Sequence, residues 1–339
     1  MDDIAKFGSV EPAPAEVEQF PEAAPACNLS VVLAAYNEEA CIVEELKLIK
    51  KALDESPFSY EVIVVDDGSS DNTAALVAGF DWVKLLRHRV NQGSGAARKT
   101  GTLAAVGEFV LWSDVDLTYP NERMADLVQY LVNTEADQVV GARDSERGTL
   151  KLLRVPAKFL IRKLACFLTG SKIPDLNSGL RVFRRSVALQ YIDLLPKGFS
   201  CVTTITLAFL CNGHRVEYMP IHYRKRAGRS KFRPFKDTYR YITQVARMVT
   251  YFEPLKIFLP ISLMLLGLGS LSSVVNLVRT SSMQEMDLII MGTGILVGIL
   301  GLLADLFVQY QRKMERLISS LSTTGRTQQH SFSLKSRES

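Results

Sequence analysis

The segment EFVLWSDVD (108–116) places two acids, Asp114 and Asp116, directly at the end of an apolar run. Such a run is typical of a buried strand, and buried strands normally exclude carboxylates. The arrangement recurs in YEVIVVDDGSSDNT (60–73), where the apolar run stops at Asp66 and Asp67. One acid at a strand end is common as a helix cap. Two clusters of this kind indicate a site.

Strand-like and helix-like stretches alternate on both sides of these segments. The predicted strands are 29–36, 60–67, 83–88, 108–116 and 136–143, and the predicted helices are 37–53, 73–79, 93–106 and 121–133. This alternation, bounded by Gly, Asp and Ser, predicts an α/β fold with a parallel, doubly wound sheet. Ligands of such sheets bind beyond the carboxyl ends of the strands, so both acid clusters are expected on the binding rim.

Two long apolar runs, 255–278 and 288–308, follow the predicted sheet. Each approaches or exceeds the ~20 residues that cross a bilayer, and the short connection 279–287 makes them a helical hairpin. The flanks of the hairpin carry most of its basic residues, and the loop carries only Arg279. The flanking residues are Arg247, Lys256, Arg312, Lys313 and Arg316. The positive-inside rule therefore predicts a multi-pass protein of the plasma or inner membrane, with the sheet domain and both termini in the cytoplasm.

Composition divides the chain into four parts. Residues 1–27 are acidic and rich in Pro and Ala, which predicts a disordered tail without a signal peptide. We expect a sheet domain with interfacial basic helices over 28–245, a juxtamembrane segment and two membrane helices over 246–312, and a cytoplasmic tail over 313–339.

Two basic stretches precede the apolar runs. LKLLRVPAKFLIRKLACFL (150–168) has the pattern of a basic amphipathic helix, which favours a position on the bilayer surface. A packed helix with a solvated basic face is the alternative. RKRAGRSKFRPFKDTYR (224–240) could form a nucleic-acid patch. Its place shortly before a membrane span favours lipid head groups or a lipid phosphate instead, so no nucleic-acid partner is expected.

The acids after the fourth predicted strand have a spacing that suits a metal. Asp114 and Asp116 stand at i and i+2, and Thr118 lies next on the same side of an extended chain. Mg²⁺ takes one or two carboxylates and leaves its other positions to substrate phosphates. The spacing predicts that these three residues hold Mg²⁺ or Mn²⁺. Turn formation around Tyr119 and Pro120 explains one of the acids but hardly both.

Several segments, taken in order, resemble a known family. AAYNEE (34–39), VVDDGSSDNT (64–73), NQGSGAARKTG (91–101) and SDVDLTYP (113–120) are similar to the successive motifs of family-two glycosyltransferases of GT-A fold. VVGARD (139–144), IPDLNSGLRVFRR (173–185) and RKRAGRSKF (224–232), with the hairpin after them, resemble the polyprenyl-phosphate glycosyltransferases. That group includes dolichol-phosphate mannose synthase and bacterial undecaprenyl-phosphate sugar transferases.

The resemblance implies an inverting transferase that moves a sugar from a UDP- or GDP-linked donor to a polyprenyl phosphate, with Mg²⁺ or Mn²⁺ as cofactor. It implies a nucleotide-sugar site of Ala35, Tyr36, Glu38, Asp66, Asp67 and Gly93. It implies a catalytic group of Asp114, Asp116 and Asp175. It implies contacts to the lipid phosphate and the leaving diphosphate from Arg143, Ser178, Arg181, Arg226, Ser230 and Lys231. Asp175 is expected to act as a base or to organise Arg181 or its own loop. A homo-oligomer is also implied, with a tetramer favoured.

Other functions fit part of the sequence. A processive polysaccharide synthase would carry a Q-x-x-R-W motif and a channel of many helices, whereas Gln244 and Arg247 are followed by Met248. A nucleotidyltransferase or a soluble transferase would leave the basic stretches and the hairpin unexplained. A catalytically silent membrane scaffold that binds nucleotide-sugars is the alternative from another class. Retention of both acids of the pair argues against it.

Overall fold

The computed structural model describes residues 28–144, 163, 165–166, 169–224, 243, 247, 250–280 and 282–335. The predicted tail over 1–27 lies outside this part of the chain, as do nearly all of the basic stretches 150–168 and 224–240. Seven strands are present in the described residues and form one sheet. They are β1 Leu29–Ala35, β2 Tyr60–Asp66, β3 Val83–Arg87, β4 Phe109–Asp114, β5 Gln138–Arg143, β6 Arg181–Arg184 and β7 Val216–Ile221.

The sheet has the order β3-β2-β1-β4-β6-β5-β7. Neighbouring strands run parallel except at β6, which pairs antiparallel with both β4 and β5. The predicted α/β fold is thus confirmed, and its sheet is parallel apart from the antiparallel strand β6. β6 was not predicted, because this strand is only four residues long and begins and ends with arginine.

Helices cover both faces of the sheet. In chain order the described helices are α1 Ile42–Asp54, α2 Thr73–Ala78, α3 Ser94–Ala104, α4 Met124–Thr134, α5 Arg185–Gln190, α6 Cys201–Cys211, α7 Leu255–Thr280 and α8 Glu285–Lys335. Successive strand residues point to opposite faces, and this alternation divides the apolar core into two layers. Val32 and Trp112 pack on the layer that includes α6 residues, whereas Val31 and Leu111 pack on the layer with α1 and α4. The central strands are therefore buried on both sides, as expected for parallel strands.

Gly101 brings α3 close to the sheet. A Cβ atom at this position would lie 2.3 Å from Cγ1 of Val32 and 3.2 Å from Cγ2 of Val65. Only a residue without a side chain allows this approach of helix and strands. The contact fixes α3 over β1 and β2.

The first predicted helix starts later than expected. α1 begins at Ile42 rather than at residue 37, because Asn37 has a left-handed backbone with φ 50°. The N–H groups of Cys41 and Ile42 then both donate to the carbonyl of Glu38. Residues 37–41 therefore form a turn at the carboxyl end of β1.

Helices α7 and α8 form the predicted hairpin. The apolar spans are Leu255–Arg279, with mean hydropathy 2.0, and Glu285–Tyr310, with mean hydropathy 2.2, so both are long and apolar enough to cross a membrane. Small residues let the helices approach: the Ser262 hydroxyl donates to the Gly294 carbonyl at 2.7 Å, and a Cβ on Gly301 would lie 2.5 Å from Phe258 Cβ. The second helix continues beyond the predicted span to Lys335.

A polar contact joins the two helices near the turn between them. Asp287 is 1% exposed. Its carboxylate accepts from the Ser272 hydroxyl at 2.6 Å and from the Asn276 amide at 3.0 Å. It also accepts the backbone N–H of Gln284 at 3.2 Å, just before α8 begins. One carboxylate therefore caps α8 and binds α7 at the same time.

Candidate functional site

The predicted acids meet at the carboxyl rim of the sheet. In the strand register, Ala34 lies opposite Asp114 and Ala35 lies opposite Asp66. The acids of β2 and β4 therefore flank the end of β1. Arg143 ends β5 on the same rim. Both β4 and β5 pair antiparallel with β6, which lies between them, so β4 and β5 run in the same direction.

The last residue of β2, Asp66, and the next residue, Asp67, are both buried and form hydrogen bonds with the neighbouring loops. Asp66 and Asp67 are 0% and 2% exposed. Asp67 accepts hydrogen bonds from the backbone N–H of Gln92 at 2.9 Å and of Gly93 at 2.7 Å, and its Oδ1 lies 2.7 Å from the His88 ring. These contacts hold the segment that enters α3. Direct contact of Asp66 or Asp67 with a nucleotide stays a prediction.

Gly93 has a conformation that needs glycine. Its φ is 104°, and an added Cβ would lie 2.3 Å from the carbonyl oxygen of Lys197. The next turn is held against the same carbonyl, because the Gly95 N–H donates to it at 2.8 Å. A nucleotide contact at Gly93 stays a prediction.

The turn after β1 is bonded to the loop after β2. The N–H of Asn37 donates to the Ser69 hydroxyl at 2.9 Å, and the N–H of Glu38 donates to the Thr73 hydroxyl at 2.9 Å. Tyr36 and Glu38 are partly exposed, as a nucleotide pocket requires. Ala35 is 0% exposed and packs in the core, so its predicted place at the nucleotide pocket stays a prediction. Strand alternation turns Ala35 into the α1 layer.

Asp114 accepts a hydrogen bond from a buried arginine that was not predicted. Arg98 on α3 is 2% exposed, and its Nη2 donates to Asp114 Oδ1 at 2.5 Å. The second carboxylate oxygen faces Gly179, where an added Cβ would lie 2.8 Å from Oδ2. The Asp114 side chain is 36% exposed. One of its oxygens is thus anchored, and the other lies beside the space that the glycine leaves.

Asp116 lies deeper and is oriented by its neighbour. It is 8% exposed, and its Oδ1 accepts the hydroxyl hydrogen of Thr118 at 2.5 Å. Thr118 is 0% exposed. The structure therefore does not support Thr118 as a metal ligand, because its hydroxyl is enclosed and donates to the carboxylate. Leu117, between the two, has a left-handed backbone with φ 58°.

The carboxylates fit a divalent cation that takes its other ligands from a diphosphate. Among the described residues, no group of three or more His, Cys, Asp and Glu side chains is arranged to hold a metal by itself. Mg²⁺ does not need one, since it is commonly held by one or two carboxylates and substrate phosphates. The Asp114 side chain is partly exposed, and its Oδ2 lies beside the space at Gly179.

A buried acid on α1 supports this loop and was not predicted. Glu45 is 0% exposed. It accepts the N–H of Leu117 at 2.9 Å and the side-chain amide of Asn121 at 2.5 Å. Burial raises the pKa of Glu45 to about 7, with a smaller contribution from Asp116. The two hydrogen bonds and the charge of Arg224 act in the opposite direction.

Asp175 pairs with Arg143. Nε of Arg143 donates to Oδ2 at 2.6 Å, and Nη2 donates to Oδ1 at 2.9 Å. The N–H of Asn177 also donates to Asp175, at 3.0 Å. Burial alone would raise the pKa of Asp175, but the bonds and charge of Arg143 outweigh it and hold the pKa below its ordinary value. This carboxylate is a poor base. Its hydrogen bonds join Arg143 and the N–H of Asn177. The role of Asp175 as a base, or as an organiser of Arg181 or of its loop, stays a prediction.

Arg181 is a structural arginine. It is 0% exposed, and its Nη1 donates to the Val202 carbonyl at 2.5 Å and to the Thr206 hydroxyl at 2.7 Å. Its Nε donates to the Ser178 carbonyl at 3.2 Å. Ser178 is also 0% exposed. In the structure the Arg181 guanidinium is buried among protein acceptors, and Ser178 is buried beside it. Contact of either residue with a phosphate stays a prediction.

Tyr119 joins the loop after β4 to the loop before β6. The N–H of Gly179 donates to its hydroxyl at 2.6 Å, and its ring lies 5.1 Å from the ring of Tyr223. The guanidinium of Arg143 lies 5.4 Å from the Tyr223 ring. The acidic and basic sides of the rim are therefore in contact through two aromatic rings. The predicted residues Arg226, Ser230 and Lys231 lie outside the described residues.

Comparisons with known proteins show which families this chain is similar to. Residues 30–192 match the family model described as Glycosyl transferase family 2, and residues 253–309 match the GtrB C-terminal hairpin. A dolichyl-phosphate hexose transferase of Haloferax volcanii is 31% identical over 209 residues, which cover 61% of this chain and 88% of that protein. An undecaprenyl-phosphate 4-deoxy-4-formamido-L-arabinose transferase of Aeromonas hydrophila is 35% identical over 165 residues, which cover 47% of this chain and 49% of that protein. The match thus spans about half the length of the second relative.

The fold is also found in solved structures. Glucosyl-3-phosphoglycerate synthase of Mycobacterium tuberculosis, in complex with Mn²⁺, UDP and glucosyl-3-phosphoglycerate, has a TM-score of 0.54 and 19% sequence identity. The match covers 66% of this chain and 80% of that chain. A likeness at this level of identity concerns the fold alone.

Proposed function

Because the chain belongs to glycosyl transferase family 2, we propose that it transfers a sugar from a nucleotide diphosphate-sugar to a polyprenyl phosphate at the cytoplasmic face of a membrane. One observation carries the proposal: the acidic rim of the family domain is followed by a hairpin of two apolar helices that matches the GtrB C-terminal hairpin. The relative with 88% coverage is named for hexose transfer to dolichyl phosphate, which supports a lipid-phosphate acceptor.

The donor would bind at the acidic side of the rim. Tyr36 and Glu38 lie partly exposed at the end of β1, close to the loops that Asp66 and Asp67 hold, and would bind the nucleotide. Asp114 and Asp116 would hold Mg²⁺ or Mn²⁺, which acts as a Lewis acid toward the departing diphosphate. Arg98 fixes Asp114, and Thr118 fixes Asp116, so neither carboxylate has to reorient when the donor binds.

The acceptor would bind at the basic side. A phosphate monoester has a second pKa of about 6 and is largely dianionic at neutral pH. The acceptor is therefore already a nucleophile and needs no strong general base. This agrees with the lowered pKa of Asp175, which makes that carboxylate a poor base. Arginine is suited to hold such a phosphate, and the Arg143 guanidinium is fixed by Asp175. Attack in line with the leaving diphosphate inverts the anomeric carbon.

The hairpin would place this chemistry at the bilayer surface. Lys256, at the start of α7, and Lys313 lie at the end of the hairpin opposite residues 282–284. The positive-inside rule puts that end in the cytoplasm. The sheet domain would then receive a cytoplasmic donor and a membrane-embedded acceptor. A homo-oligomer formed through the hairpin belongs to the same proposal.

The first experiment is a screen of UDP- and GDP-sugars against the purified enzyme with undecaprenyl phosphate, read by mass spectrometry of the lipid product. We expect one donor to give a polyprenyl-phosphate monosaccharide, and EDTA to abolish the reaction. Products with many added sugars would favour a processive synthase. Absence of turnover with all donors would favour a silent nucleotide-sugar scaffold.

The residue test separates the two sides of the rim. Asp116→Ala should abolish transfer while the protein still folds and inserts; Asp126→Ala, at a surface ion pair with Arg123, is the matched control. Near-native turnover of Asp116→Ala would remove the metal assignment. Arg226→Ala or Lys231→Ala should raise KM for the lipid more than the Kd of the nucleotide. The opposite result would mean that the two sides are reversed.

A further inference from the structure

A carboxylate on α1 lies where the helix otherwise packs apolar residues. Glu45 is 0% exposed, between the fully buried Ile42, Leu46 and Ile49 of the same helix. Burial of an acid is costly unless hydrogen bonds compensate it. Both of the hydrogen bonds to the Glu45 carboxyl group come from the segment that follows β4. Its position is therefore explained by that loop and not by α1.

The contacts of Glu45 reach the middle and the end of the loop that carries the predicted metal ligands. Oε2 accepts the N–H of Leu117, and Oε1 accepts the Asn121 amide. Asn121 in turn accepts the hydroxyl hydrogen of Ser113 at 2.6 Å and lies 3.4 Å from the carbonyl of Asp114. One buried chain of hydrogen bonds thus connects the end of β4, the middle of the loop and the start of the next helical turn.

The middle of the loop is held in an unfavourable conformation. The backbone of Leu117 has φ 58°, a value that bulky residues rarely adopt. Strained residues persist only where the surrounding structure over-determines them, and they cluster at functional sites. The bond from the Leu117 N–H to Glu45 supplies this constraint. The conformation turns the chain between Asp116 and Thr118, so that the Thr118 hydroxyl reaches the Asp116 carboxylate.

We propose that Glu45 is a positioning residue, which holds the 113–121 loop in the one conformation that presents Asp114 and Asp116 to a metal-bound diphosphate. Its role toward the diphosphate rests on the function proposed above; its role in fixing the loop does not. Asn121 is the second part of the same device, because it carries the constraint from Glu45 to the end of β4.

The test uses three variants of one helix. Glu45→Gln keeps the size of the side chain, and its amide oxygen can still accept the Leu117 N–H. The Asn121 side-chain amide can rotate so that its oxygen accepts from the new glutamine NH₂ group. Glu45→Leu removes both bonds. Ile49→Ala damages the same buried face without contact to the loop in the hydrogen-bond network described, so it controls for loss of stability.

Hydrogen exchange gives a readout that needs no substrate. We expect the Leu117 amide to be protected in the wild type, in Glu45→Gln and in Ile49→Ala, and to exchange at least roughly tenfold faster in Glu45→Leu, because one buried hydrogen bond is lost. Equal protection in Glu45→Leu and the wild type would overturn the proposal. So would equal loss of protection in Ile49→Ala.

Mn²⁺ binding measured by electron paramagnetic resonance, with UDP or GDP present, extends the test to the site. Glu45→Leu should weaken Mn²⁺–nucleotide binding by roughly tenfold or more, and Glu45→Gln by no more than about threefold. Leu117→Gly in the Glu45→Leu background should recover part of the loss, since glycine adopts the left-handed conformation without strain. Normal Mn²⁺ binding by Glu45→Leu would overturn the positioning role. If the wild type bound no Mn²⁺–nucleotide, the proposed function would fail while hydrogen exchange still decided the role of Glu45 in the loop.

Discussion

The buried carboxylate of Glu45 predicts a specific dependence of stability on pH. Its pKa is about 7 in the folded protein, against 4.5 for an ordinary glutamate. Between these two values the unfolded chain releases the proton of Glu45 and the folded protein keeps it. The contribution of Glu45 to stability is therefore complete below about pH 4.5, falls as the pH rises, and is lost above about pH 7.

The size of the effect follows from the difference in pKa. A difference of about 2.5, at 1.36 kcal/mol for each unit of pKa, corresponds to about 3 kcal/mol of unfolding free energy. For a domain of this size, 1 kcal/mol moves Tm by about 2–4 °C, so the full effect is roughly 6–12 °C. The Coulombic influence of Asp116 and Arg224 is included in the folded pKa.

Glu45→Gln isolates this contribution, because it removes the titrating group and keeps its size. The assay is thermal unfolding of detergent-solubilised protein with EDTA, followed by intrinsic fluorescence between pH 5 and pH 8. The Tm of the wild type minus that of Glu45→Gln should fall steadily across this range. Glu44→Gln, at the exposed neighbouring position, should show no such trend. If the Tm difference between the wild type and Glu45→Gln stayed constant or rose with pH, Glu45 would not be a buried carboxyl group that keeps its proton in the folded protein.

Three further substitutions test other contacts. Gly101→Ala should destabilise the domain by about 1–3 kcal/mol, because the new methyl group meets Val32, and a lower Tm measures this overpacking. Arg181→Met should lower Tm and leave KM for the lipid acceptor unchanged, since its guanidinium is buried among protein acceptors; a raised KM with an unchanged Tm would restore its predicted phosphate contact. Asp287→Ala should weaken the hairpin by about 1 kcal/mol, measured by SDS titration in bicelles, and an unchanged midpoint would contradict the role of its contacts with Ser272 and Asn276.

The main features of the fold were predictable from the sequence because β1, β2 and β4 are continuous apolar runs. Such runs are unambiguous when they alternate with helices and end in acids. β6 was not predictable in this way. Arg181 is a buried residue of that strand, and its burial depends on three hydrogen-bond acceptors. One is the carbonyl of Ser178, before the strand, and the others are the Val202 carbonyl and the Thr206 hydroxyl on α6, more than twenty residues away.

The site was predictable at the level of which strand ends carry the acids. Two supports of the loop that carries Asp114 and Asp116 were not, because both come from helices distant in sequence. Arg98 lies 16 residues before Asp114, and Glu45 lies 72 residues before Leu117. A signal for Glu45 was present nonetheless. It falls on the stripe of Ile42, Leu46 and Ile49, where a charged residue on a predicted apolar face indicates a buried polar contact.

The carboxylate that joins the two membrane helices has a consequence for biogenesis. On α7 alone, Ser272 and Asn276 would have to enter the hydrocarbon without acceptors from another helix, which opposes stepwise integration of this segment. Once α8 lies beside it, both side chains reach the Asp287 carboxylate. The pair is therefore suited to leave the insertion machinery together, already folded back on itself, and to anchor the nascent enzyme only when both segments have been synthesised.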